Sequence, residues 1–157
     1  ILGSGPILQY AREASSILES EYDVSSEVWS VTSYGELRKD GLDSERHNRL
    51  NPQDKRTPYA SECFGDDIPT VAVSDYIAAV PEMIHRWVGG RYVVLGTDGF
   101  GRSDTRESLR RFFEIDTESI ALAALSALEQ EGDMPEGTVK GAASKMGVSL
   151  TREDKAE

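Results

Sequence analysis

The chain has 157 residues with 17 Lys plus Arg against 28 Asp plus Glu, a formal net charge of −11. A chain this acidic repels nucleic acid and anionic lipid surfaces, and its longest uninterrupted apolar run, Ile120 to Leu125, is far shorter than the roughly 20 residues of a membrane span. The single Cys63 excludes an internal disulfide, no Cys/His spacing supports a zinc site, and a reducing, cytoplasmic setting is expected.

The opening Ile1-Leu2-Gly3-Ser4-Gly5-Pro6 carries no initiator Met and reads as the end of a strand running into a helix, as in a fragment of a longer chain. Ile7, Leu8, Ala11, Ala14, Ile17 and Leu18 then recur at helical spacing, with Ser4 placed to cap the first turn and Pro6 where a missing N–H costs nothing. Val28 to Val31 predicts a strand, Glu36-Leu37-Arg38 a short helical stretch, and the polar segment Asp40 to Thr57 a long surface loop.

Thr70-Val71-Ala72-Val73 is the next predicted strand, leading into a helix from about Asp75 with Tyr76, Ile77, Val80, Ile84 and Trp87 on one face. Arg91 to Leu95 predicts a further strand, then a glycine loop, then a helix from about Thr105 with Asp104 and Glu107 in a capping-box arrangement. An Ala/Leu-rich helix is expected from Asp116 to about Gln130, and a last one over Thr138 to Met146 closed by Gly147.

Strands that alternate with helices, and that are apolar throughout, predict an α/β fold: a three-layer α/β/α sandwich around a mostly parallel sheet. Residues 1–150 form one domain in this reading, and 151–157 a charged, frayed tail.

The glycine loop Gly96-Thr97-Asp98-Gly99-Phe100-Gly101-Arg102-Ser103 fits the phosphate-loop pattern GxxxxGK[ST] except for arginine in place of lysine. Arginine's planar fork does not replace the compact ammonium that reaches the β/γ oxygens. The plainer reading is a tight strand-to-helix turn built on glycines, with Asp98 and Asp104 as caps. Gly3-x-Gly5 lacks the third glycine of a dinucleotide fingerprint, Leu8 standing in its place, although a helix N-terminus there offers an anion a seat.

His47 and His85 are the only histidines and hence candidate acid/base groups; His85 reads as part of an amphipathic helix, and His47 lies among Glu45, Arg46 and Arg49. Cys63 reads as an idle thiol, and Arg46, Arg49, Lys55 and Arg56 as a solvated face.

Taken together, several longer stretches resemble the C-terminal domain of the homodimeric, bacterial-type pyruvate dehydrogenases, thiamine-dependent members of the transketolase-like family. They are Leu2-Gly3-Ser4-Gly5 with Arg12-Glu13-Ala14, Val31-Thr32-Ser33, Glu36-Leu37 with Asp40-Gly41, Glu45-Arg46 with Asn48, Pro58-Tyr59 and Ser74-Asp75-Tyr76. The longest is Val94 through Asp104, followed by Arg106-Glu107 and Leu109-Arg110. The similarity runs in unbroken order from Ile1 to about Val148, and His47 departs from it where the family favours a large aromatic.

The resemblance implies the third of three consecutive α/β domains. It implies that thiamine diphosphate and magnesium bind between upstream domains of opposing subunits, so that no catalytic or metal-binding residue and no cofactor belongs to this fragment. The implied partners are the upstream domains of its own chain, a second subunit, and a lipoyl acetyltransferase component that accepts the two-carbon unit left after pyruvate decarboxylation. The implied role is structural, at the dimer interface, with Gly3, Ser4, Gly5, Asp98, Arg102 and Ser103 as interface or anion-binding candidates. The rival expectations are the equivalent domain of a transketolase or another 2-oxo acid dehydrogenase, a free-standing nucleotide-binding module, and an interaction domain without enzymatic attachment.

Overall fold

A computed structural model describes residues 1–99 and 101–151. Its sheet has four strands, all parallel, in the order β2-β1-β3-β4, with β1 Leu2–Gly3, β2 Trp29–Ser30, β3 Thr70–Val73 and β4 Tyr92–Leu95. Leu2 stands opposite both Trp29 and Ala72, and Thr70 to Val73 pair in step with Tyr92 to Leu95.

Because side chains alternate across a strand, β3 sends Val71 and Val73 to one core and Ala72 to another. On the first face lie α1 (Leu8–Tyr22), α6 (Thr117–Glu131) and α7 (Thr138–Met146), which bury Ala11, Ala14, Leu18, Ile120, Ala121, Leu125 and Ala142. On the second, Leu2 and Ala72 meet Tyr34 of α2 (Tyr34–Leu50), Ala60 of α3 (Tyr59–Phe64), and Ile84 and Trp87 around the short α4 (Ala79–Glu82) and the 3-10 turn His85–Trp87. Helices thus cover both faces, and the predicted three-layer α/β/α architecture is the observed one.

Several local expectations are corrected. Asp40 to Thr57 is not a loop, since α2 continues unbroken to Leu50. The Ser33 hydroxyl accepts the Glu36 N–H and starts the helix, whose buried positions Tyr34, Gly41 and Ser44 are mostly small and carry little apolar signal. Only the following turn is irregular, and Asn48 braces it by bonding both the N–H and the carbonyl of Arg56.

The helix expected from Asp75 shrinks to α4 and one 3-10 turn, with Tyr76 and Ile77 each 54% exposed. The backbone there is engaged elsewhere: Tyr76 N–H bonds the Ser74 hydroxyl, Tyr76 carbonyl accepts from Thr97 N–H, and Ala78 N–H bonds the Asp98 carboxylate. Helix α5, Arg106–Phe112, is capped by Thr105, whose hydroxyl accepts the Ser108 N–H, while Asp104 bonds Thr105 N–H instead of forming a box with Glu107. Ser4 makes no side-chain cap; its carbonyl accepts from Ile7 N–H in a 3-10 turn over Gly5–Ile7 that precedes α1. The expected tail beyond Thr151 lies outside the described residues.

The predicted α6 and α7 hold to within a residue, with Asp116 accepting the Ser119 N–H and Gly147 closing α7 at φ 67°. Gly137 precedes α7 and supplies no side chain to cap it. The Glu129 carboxylate of α6 takes over, accepting Gly137 N–H at 2.9 Å and Val139 N–H at 2.8 Å.

Those two donors hold the Glu129 carboxyl below its usual range. A lowered folded-state pKa contributes stability above the unfolded value of about 4.3 and loses it as pH falls through the folded one. Glu129→Gln is therefore expected to lower the melting temperature at pH 7 and to differ less from wild type at pH 3. Melts at both pH values check this; an equal deficit at both would remove the carboxylate from the account.

Candidate functional site

In open α/β sheets ligands and partners meet the carboxyl ends of the strands, above all where the connections of neighbouring strands leave to opposite faces. Here β1 and β3 are those neighbours, since β1 leads into α1 on one face and β3 into α4 on the other. Gly3, Ser4 and Gly5 of the first and Ser74 and Asp75 of the second therefore converge, joined by Thr97 and Asp98 after β4.

The edge is tightly tied. Ser4 N–H donates to Val73 carbonyl and Ser74 N–H to Leu95 carbonyl, the Thr97 hydroxyl donates to Asp75 carbonyl, and the Asp98 carboxylate accepts Ala78 N–H at 3.0 Å. Gly3 is required because a Cβ there would sit 2.9 Å from Leu8 Cα, and Gly5 because its φ is +55°. A cavity of about 340 Å³ opens among Pro6, Asp75, Thr97, Arg106, Leu109, Arg110, Phe113 and Ile115.

The six candidate residues do not form one site. Gly3, Ser4, Gly5 and Asp98 share the carboxyl edge, but Arg102 turns to lie 4.5 Å over the Phe112 ring and lines a second recess with Asp104, Arg111 and Gly147. Ser103 is exposed beside it. Asp98 clamps the β3–α4 connection through the Ala78 N–H. Phe100 lies outside the described residues.

One backbone donor of the glycine loop is engaged inside the fold. In a phosphate loop successive backbone N–H groups face the anion, whereas Thr97 N–H is spent on Tyr76 carbonyl. At α1 the supply is equally short: Pro6 has no N–H, Ile7 N–H bonds Ser4 carbonyl and Leu8 N–H bonds Gly5 carbonyl. Asp75, Thr97 and Arg106, which stand in the stretches of resemblance but not among the site candidates read from sequence, line one cavity here, and the strand order that brings them together is the signal that finds them.

The two histidines lie elsewhere. His47 Nε2 is 2.8 Å from Asp54 carbonyl, and His85 Nδ1 is 2.9 Å from the Glu82 carboxylate, a surface pairing. Cys63 is half-buried in a recess at the other end of the sheet, near Trp29 and Phe64. Among the described residues no group of three or more His, Cys, Asp or Glu could hold a metal ion. Among them, too, no helix is long and apolar enough to cross a membrane.

Comparison with known proteins decides the family. The model of the transketolase-like TK C-terminal domain matches residues 1–116. The chain belongs to that family. Among curated proteins it is 46% identical over 151 residues to the pyruvate dehydrogenase E1 component of Pseudomonas aeruginosa, covering 94% of this chain and 17% of the relative. It is 45% identical over 154 residues to the protein of that name from Escherichia coli K12 (97% and 17%), and 44% over 147 residues to that from Mycolicibacterium smegmatis (92% and 16%). The chain spans about one sixth of the length of these relatives and, within the transketolase-like domain, contains the carboxyl edge described above.

Proposed function

We propose that this chain serves as the C-terminal, non-catalytic domain of a pyruvate dehydrogenase of the acetyl-transferring, thiamine-dependent type. What supports this reading above all is the similarity along 92 to 97% of the chain to proteins about six times longer that bear that name. Thiamine diphosphate and magnesium would be held by other domains of the parent. When bound there, the cofactor supplies the electron sink for pyruvate decarboxylation.

This chain's own contribution is packing. Residues 1–150 act as one domain, with 151–157 as a tail, against the preceding domains of the same chain and a second subunit in the cytoplasm; the acetylated partner is the lipoyl group of the acetyltransferase component. Exposed Tyr76 and Ile77 beside Asp98, and the Arg102 guanidinium presented on Phe112, supply an apolar and cationic surface suited to such contacts.

The test is Arg102→Ala in the full-length enzyme. The expected result is a dimer that dissociates at least tenfold more readily in sedimentation, with pyruvate decarboxylation falling as the dimer is lost. An unchanged dimer and rate would refute the assignment of Arg102 to an interface, and a parent that acts on sugar phosphates but not pyruvate would refute the reading as a whole.

A further inference from the structure

The cavity over β1, β3 and β4 has an uncommon composition for an acidic protein. Its floor is apolar, from Leu109, Phe113 and the buried Ile115, while Asp75 and Arg106 stand on its wall. Neither the Asp75 carboxylate nor the Arg106 guanidinium makes an ion pair with a described residue. Arg110 is already committed, donating to the Tyr10 hydroxyl and stacking 4.3 Å above its ring.

A compact anion is a poor fit. The backbone N–H groups at the start of α1 are used or missing, and the Asp75 carboxylate lies 3.8 Å from where a Gly5 side chain would begin, which places negative charge over that helix start. A cation alone would meet Arg106. Arg110 keeps its positive charge while it is held on the neutral Tyr10, so the lining carries charges of both signs, Asp75 against Arg106 and Arg110, none in an ion pair with a described residue. Set around an apolar floor, they complement a ligand that itself carries both charges around an apolar body.

We propose that this cavity binds a free α-amino acid with an aliphatic side chain. Asp75 receives the ammonium, Arg106 takes the carboxylate in a bidentate fork, and the side chain rests on Leu109, Phe113 and Ile115. The volume, about 340 Å³, lies at the small end of ligand pockets, as a ligand of this size requires. The inference concerns this chain alone and stands whether or not the parent enzyme is the one proposed above.

The experiment is a heteronuclear NMR titration of this chain with L-leucine, and with two half-ligands, isovalerate and isopentylamine, plus inorganic phosphate. Leucine is expected to give saturable shifts at Thr97, Arg106 and Leu109 with a dissociation constant of about 1 mM or tighter, and each half-ligand to bind at least tenfold more weakly. Asp75→Asn and Arg106→Gln, both at exposed positions, are each expected to weaken leucine by tenfold or more. Isovalerate or phosphate binding as tightly as leucine would make this an anion site and overturn the proposal. So would the absence of saturable shifts. The half-ligand comparison uses the wild-type chain, so its outcome does not depend on either variant folding.

Discussion

Gly41→Ala is expected to destabilise the chain by about 2 kcal/mol or more, although the same replacement inside an exposed helix ordinarily stabilises by up to about 1 kcal/mol. A Cβ on Gly41 would lie 2.5 Å from Trp87 Cε2 and 2.6 Å from Cδ2 and Cζ2. The indole has little room to retreat: it is 6% exposed, its Nε1 donates to Glu45, and the Trp87 carbonyl accepts the Ser61 hydroxyl. Either α2 must lift off the sheet or the 3-10 turn must move, and both routes open the core around Leu2, Ala72 and Ile84. Gly141→Ala in α7 is the control, since nothing lies within 4 Å of its added Cβ. Urea unfolding should show the two variants shifting in opposite directions. A Gly41→Ala chain as stable as wild type would mean that α2 does not pack on Trp87.

The same contact explains which parts of the fold could be read from sequence. Apolar runs such as Thr70–Val73, and helices framed by caps such as Asp116 and Gly147, carry their structure in neighbouring residues, and the elements lie where those signals stand. Helix α2 does not, because its core-facing side is written in Gly41 and Ser44, residues that look like loop until the indole that fills the space beside them is known. The α4 region failed for the opposite reason. Its apolar spacing suits a helix, but Thr97 and Asp98, remote in sequence, bond to the 75–78 backbone and hold it open. The candidate site divides in the same way: Gly3, Gly5 and Asp98 are legible as strand-end residues, whereas Arg102's turn onto Phe112 and the meeting of Asp75 with Arg106 depend on sheet order.

Gly96→Ala is expected to cost about 2 to 4 kcal/mol, because the three nearest atoms its Cβ would meet are all backbone. The nearest are Ala78 N at 2.6 Å, Ala78 Cα at 2.8 Å and Tyr76 O at 2.8 Å. No rotamer change relieves such a clash. The β4 loop must instead separate from the β3–α4 connection, breaking the Thr97 to Tyr76 and Ala78 to Asp98 hydrogen bonds together. Asp98→Ala removes only the second of these and should cost about 1 kcal/mol, so urea unfolding of the two variants separates close backbone approach from the side-chain clamp. Equal losses would mean that the clamp alone closes the edge. The position of Gly96 also ties stability to the cavity, since the displaced loop carries Thr97. Measured well below the melting temperature, Gly96→Ala should weaken leucine binding as well as stability. Gly41→Ala, whose clash lies in the core on the α2 side of the sheet, should lower stability and leave that affinity within about twofold of wild type.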